Sequence, residues 1–181
     1  MRIVLCSKEA DSKMIGYRIH EFPDGNPEEW RGITVFAPLL PDGSMHPDVL
    51  PLFGKACRIA KETDDKAQLL IVGDGLVETA RSYYAGGADR VFVYDDVSLK
   101  EFNPDRYTQI ILNFLENYKP ALLCFPGTPE CTDLAGLILE NMKTILPFTG
   151  TTETTETLPA AISAIPGHRG ELVICEVPEF E

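Results

Sequence analysis

Apolar runs and helical stripes alternate along the chain from residue 33 onward. "ITVFA" (33–37) reads as a strand. Residues 47–62 then place Val49, Leu50, Phe53, Cys57 and Ala60 at helical spacing, with Pro47 near the start. "AQLLIVG" (67–73) reads as a buried strand. "GLVETARSYYAGG" follows as a helix with Leu76, Ala80, Tyr83 and Tyr84 on one face and Gly86-Gly87 as the stop. "RVFVYDD" (90–96) is the next strand. The strongest helix signal spans 104–118: Asn103 is an N-cap, Pro104 takes the first position, and Tyr107, Ile110, Ile111, Phe114, Leu115 and Tyr118 form one stripe up to Pro120. "ALLCF" (121–125) is a strand, and 129–143 reads as a helix with Leu134, Leu137, Ile138 and Met142 inward. Near-continuous apolar strands joined by amphipathic helices predict an α/β domain whose mostly parallel sheet is covered on both faces.

The two ends depart from this alternation. Residues 2–6 read as a strand, followed by the alternating segment "IGYRIHEF", which predicts a β-hairpin. "PDGNPEE" (23–29) reads as a linker. These divide the chain into an N-terminal extension (1–30) and the α/β domain proper (31–181). Beyond residue 148, "TGTTETTETLPAAISAIPGHRGELVICEV" lacks helical periodicity and predicts extended pieces added to the sheet, with a turn at Pro166-Gly167. Its "TTETTET" run reads as an exposed loop or edge strand.

Composition narrows the function classes. A chain of 181 residues is long enough for a substantial core. Its net charge of −12 disfavours nucleic acid or an anionic membrane as partner, since both would be repelled. Five cysteines, at 6, 57, 124, 131 and 175, form no C-x-x-C pair and no zinc-spaced cluster with histidine. Reduced thiols and a cytoplasmic location are expected. "MRIVLCS" is too short for a signal peptide, and no run is long enough to span a bilayer.

Four places carry candidate chemistry. The loop "FPGTPECTDLAG" (125–136) lies at a strand-to-helix junction, where backbone N–H groups can bind an anion and Gly127 permits close approach. Against a phosphate, Pro129 lacks a donor, Glu130 and Asp133 place negative charge at the helix start, and the loop holds no Lys or Arg. Thr128 is the expected cap. Cys131 falls in the first turn, where a thiolate is favoured, but its acidic neighbours favour a packed, unreactive thiol. "VGDGLVE" (72–78) is a second junction, without the third glycine of the dinucleotide fingerprint. Asp95 and Asp96 end a strand, as a possible metal or acid–base pair or, more simply, as a strand stop. Of His20, His46 and His168, none lies beside a recognisable nucleophile motif, although His168-Arg169 is a positive spot that could contact a partner or a flavin.

"AGGADRVFVYDD" is similar to the A-x-G-A-D-K/R-V-x-V-x-D-D segment of electron transfer flavoprotein α subunits, in their N-terminal domain. The loop at 125–136 resembles that family's G-A-T-x-x-G-R-D-L-A-P, retaining Thr128, Asp133, Leu134 and Ala135, and "PGHR" resembles its P-x-H-R turn. The match runs from about residue 31 to the end. The resemblance implies a doubly wound, Rossmann-like or α-hydrolase-like adenine-nucleotide-binding fold, to which the residues read above add extra strands at both ends. It implies a scaffold or docking role in a flavin-dependent heterodimer that relays electrons from acyl-CoA or similar dehydrogenases, without independent catalysis. The partner that the resemblance implies is a β-type subunit or a separate FAD-binding domain.

FAD is expected at the level of that complex and not on this chain alone. In the family a second, C-terminal domain mainly holds it, and this chain stops at Glu181, where that domain would begin. The family's Gly-Arg pair is here Cys131-Thr132, and an arginine near the final strand is replaced by Glu176. Family loop positions that would touch a cofactor or subunit are Gly127, Thr128, Cys131, Thr132, Asp133, His168 and Arg169. The alternative is a stand-alone binder of AMP or FAD, with its pocket at 73–75 and 126–129. An enzyme using Asp95/Asp96 or Cys131 lacks a complete constellation.

Overall fold

In the strands each apolar run alternates between two faces, so one run feeds two cores at once. The computed structural model describes residues 2–8, 14–21, 30–143, 149–156 and 171–180. Its elements in chain order are β1 (Arg2–Lys8), β2 (Met14–Glu21), β3 (Ile33–Phe36), α1 (Val49–Glu62), β4 (Ala67–Gly73), α2 (Val77–Ala85) and β5 (Arg90–Asp95). A 3-10 turn (Val97–Leu99) follows, then α3 (Pro104–Tyr118), β6 (Leu122–Phe125), α4 (Pro129–Lys143), β7 (Thr149–Glu156) and β8 (Glu171–Cys175).

The strands form one sheet in the order β7-β2-β1-β6-β3-β4-β5-β8. Every neighbouring pair from β1 to β8 in that order is parallel, while β2 runs antiparallel to both β1 and β7. Residues 151–156 of the "TTETTET" run lie at the sheet edge as part of β7. The predicted α/β class, with its mostly parallel sheet and added strands at both ends, is the fold observed. The linker at 23–29, the turn at Pro166-Gly167, and the His168-Arg169 pair lie outside the described residues.

The two faces are packed by different helices. Phe36, Leu70, Val72, Phe92, Tyr94, Leu123 and Phe125 meet the stripes of α3 and α4. Their strand neighbours Val35, Leu69, Ile71, Val91, Val93 and Cys124 meet α1 and α2. That division is what doubly wound means physically: side chains of one strand stabilise both layers. The α3–α4 face holds an aromatic group, with Phe114 5.0 Å from Phe92 and 5.4 Å from Tyr118 between ring centroids.

Two helix faces differ in detail from the expectation. In α1 the buried stripe is Val49, Leu52, Phe53, Ala56 and Ala60, while Leu50 is 49% exposed and Cys57 only half-buried. Leu50 lies about 100° round the helix from Val49, off the face that the sheet covers. In α4 Cys131, Ala135 and Leu139 join the core and Leu137 is half-buried. The cap of α3 is as expected: the Asn103 carboxamide oxygen accepts from Asp105 N at 3.0 Å and Arg106 N at 3.1 Å.

Candidate functional site

The carboxyl ends of the strands are where a doubly wound sheet places its loops for function. From β3 the chain moves through α1 to β4 and on to β5; α3 then returns it to β6, on the other side of β3. The order therefore reverses between β3 and β6, and the loop 126–128 leaves the sheet at that reversal. In folds of this kind the reversal opens a crevice for a ligand.

Local chemistry closes the loop on itself. The Thr128 hydroxyl oxygen accepts from Cys131 N at 3.2 Å, and the Thr128 carbonyl accepts from Thr132 N and from the Thr132 hydroxyl, each at 2.9 Å. Pro129 has no N–H to offer. Thr128 is buried, as an N-cap whose partner lies in the first turn. Glu130, Thr132 and Asp133 face solvent, so carboxylates sit at the positive end of α4. Gly127 is half-buried beside them. Cys131 is 2% exposed, packed into the α3–α4 core. Burial pushes its thiol from 9.0 up to about 11, and the Glu130 charge adds to the rise against the Thr128 hydrogen bond. A protonated, enclosed thiol is a poor nucleophile.

The second junction, between β4 and α2, is built by residues far apart in sequence. Asp95 stands opposite Gly73 in the parallel β4–β5 register. One of its carboxylate oxygens accepts from Gly75 N at 2.6 Å; the other accepts from Leu76 N at 2.9 Å and Val77 N at 3.3 Å. Gly75 has φ of 70°, a left-handed conformation that lets successive N–H groups converge. Asp96 turns elsewhere, accepting from Ser98 N at 2.8 Å and capping the 3-10 turn. That hydrogen bonding holds its carboxyl below the usual carboxylate range. The adjacent aspartates thus serve separate N-termini and share no substrate-facing site. Among the described residues, no group of three His, Cys, Asp or Glu side chains is placed to hold a metal ion.

The role of Asp95 at "GDG" is the feature that reading the sequence missed. A signal existed: an acid about 20 residues after a glycine-rich strand end belongs to the dinucleotide fingerprint, where it binds a ribose. Here the residue at that spacing bends back onto the glycine turn. A dinucleotide pyrophosphate at this junction would find its donors taken, so the described residues there do not fit one. No helix among the described residues is long and apolar enough to cross a membrane.

Comparison with known proteins gives a consistent result. The profile of the electron transfer flavoprotein domain matches residues 33–138. A lactate dehydrogenase (NAD(+),ferredoxin) subunit LctC from Acetobacterium woodii is 31% identical over 115 residues, 64% of this chain and 27% of that protein. The electron transfer flavoprotein subunit alpha of Megasphaera elsdenii is 28% identical over 116 residues, 64% of this chain and 34% of that protein. Protein FixB of Clostridium saccharobutylicum is 29% identical over 119 residues, 66% of this chain and 35% of that protein. The matched region spans about a third of the length of these relatives or less.

Proposed function

Because the chain belongs to the electron transfer flavoprotein domain family, we propose that it is an α-subunit-like docking domain of a flavin-dependent electron carrier. Its partner is a β-type subunit, and the complex relays electrons from a dehydrogenase. The chain supplies a scaffold and catalyses no reaction by itself. FAD belongs to the assembled complex, held mainly by a flavin-binding domain or by the partner. Among the described residues, free thiols at Cys57, Cys131 and Cys175 suit a reducing cytoplasm.

One observation carries this reading. Two strand-end junctions turn their helix-start donors toward the chain's own groups: at β4–α2 the Asp95 carboxylate takes three N–H groups, and at β6–α4 Thr128 takes the Cys131 N–H while Pro129 offers none. A domain that spends these donors on its own side chains is suited to hold shape and present a surface. The occupied donors at β4–α2 disfavour the stand-alone AMP or FAD binder.

The test is purification of the chain alone and co-expressed with a β-type subunit. The expected result is co-purification with that subunit and no stoichiometric flavin on the isolated chain. A yellow isolated chain would overturn the assignment of flavin to the complex. Failure to associate with any β-type subunit would overturn the docking role. Calorimetry with AMP, ATP and FAD checks the alternative, for which heat of binding on the isolated chain is required.

A further inference from the structure

We infer that Asp95 is a built-in anion, the residue that makes the β4–α2 junction refuse phosphate and act as a strut. This stands on geometry alone and does not depend on the electron-transfer reading. In nucleotide-binding sheets of this kind, the N–H groups at a strand-to-helix turn converge on a ligand phosphate. Here three consecutive N–H groups, from Gly75 to Val77, converge on both oxygens of one carboxylate at 2.6, 2.9 and 3.3 Å. The carboxylate arrives from the end of the adjacent strand. Its own position is fixed by the β4–β5 register and by Asp96 N donating to Gly73 O at 3.0 Å. The helix that begins there is thereby tied to the neighbouring strand through its positive end.

The surroundings also decide which anion the turn tolerates. Asp74 lies between the two glycines, exposed, and Glu78 lies in the first turn of α2. Both repel an incoming anion, and Coulomb repulsion doubles when the charge goes from one to two. An arriving phosphate dianion would have to displace Asp95 and then face both carboxylates. A small monocarboxylate, chemically the same group as the Asp95 side chain, is the anion this turn accepts once Asp95 is removed.

Two measurements on the full chain test this. Inorganic phosphate is titrated into the unaltered protein while the amide resonances of Gly75, Leu76 and Val77 are followed. They are expected to stay in place, and saturable movement would overturn the proposal. Asp95→Ala is then melted in sodium formate and in sodium chloride at equal ionic strength. The variant is expected to melt about 2–8 °C below the parent. Formate should recover about 1–2 °C more than chloride, an excess the parent lacks. An equal response to both salts, or an undiminished midpoint, would overturn the proposal. If Asp95→Ala does not fold, Asp95→Asn keeps the shape and one accepting oxygen. Its midpoint should fall below the parent's, and a parent-like value refutes the role.

Discussion

Replacing Thr128 tests whether the signature loop is held by its cap. The side chain is buried, and its oxygen is the acceptor for Cys131 N at 3.2 Å. Thr128→Val keeps the volume and removes the acceptor. The Cys131 N–H, itself buried in the first turn of α4, is then left without its side-chain partner. An unsatisfied buried donor costs about 1–3 kcal/mol, and removing an N-cap costs about 0.5–2 kcal/mol. The overlap, about 1–2 kcal/mol, is the expected loss. For a chain of this size it corresponds to a fall in Tm of about 2–8 °C. Thr128→Ser keeps the acceptor and gives up one methyl, so it should lose no more than about 0.8 kcal/mol. Urea denaturation of the three proteins at neutral pH gives the order directly, if the slopes agree. A valine variant within about 0.3 kcal/mol of the parent, or a serine variant as unstable as the valine, would refute the cap as the loop's organising contact.

Two further perturbations follow from the core. Cys57 and Cys131 both have thiols pushed by burial from 9.0 to about 11. Since the unfolded chain ionises first, the stability held below pH 9 should be lost as pH rises from 9 to 11, and Cys131→Ala should flatten part of that slope. A urea midpoint unchanged across that range would contradict it. Phe114, fully buried between Phe92 and Tyr118, should lose about 3–5 kcal/mol on replacement by alanine, a large share of any domain's stability. Phe114→Leu should lose less than half as much by the same assay; equal losses would mean the aromatic group is not tightly packed.

Much of the fold was legible because its determinants are local. The cap at Asn103 lies within three residues of the N–H groups it satisfies, and the stripe of α3 repeats at the helical period. Both can be read from a short window. Thr128 is legible for the same reason, acting on a donor three residues away. The faces of α1 and α4 were only partly legible. A period fixes the spacing of a stripe, but which of two neighbouring stripes is covered depends on the angle at which the helix lies on the sheet. That is why Leu50 is exposed while Leu52 and Ala56 are buried.

The sequence by itself determined the alternation of strands and helices, the two-sided character of the strands and the local caps. It also placed an acid at the right distance from "GDG" without showing its use. The tertiary structure alone decided the strand order, the position of β1 beside β6, and the bond from Asp95 to Gly75, 20 residues apart. A backbone donor satisfied from within its own turn leaves a mark in the sequence. One satisfied from the next strand leaves none, because only the packing of the sheet brings the carboxylate to it.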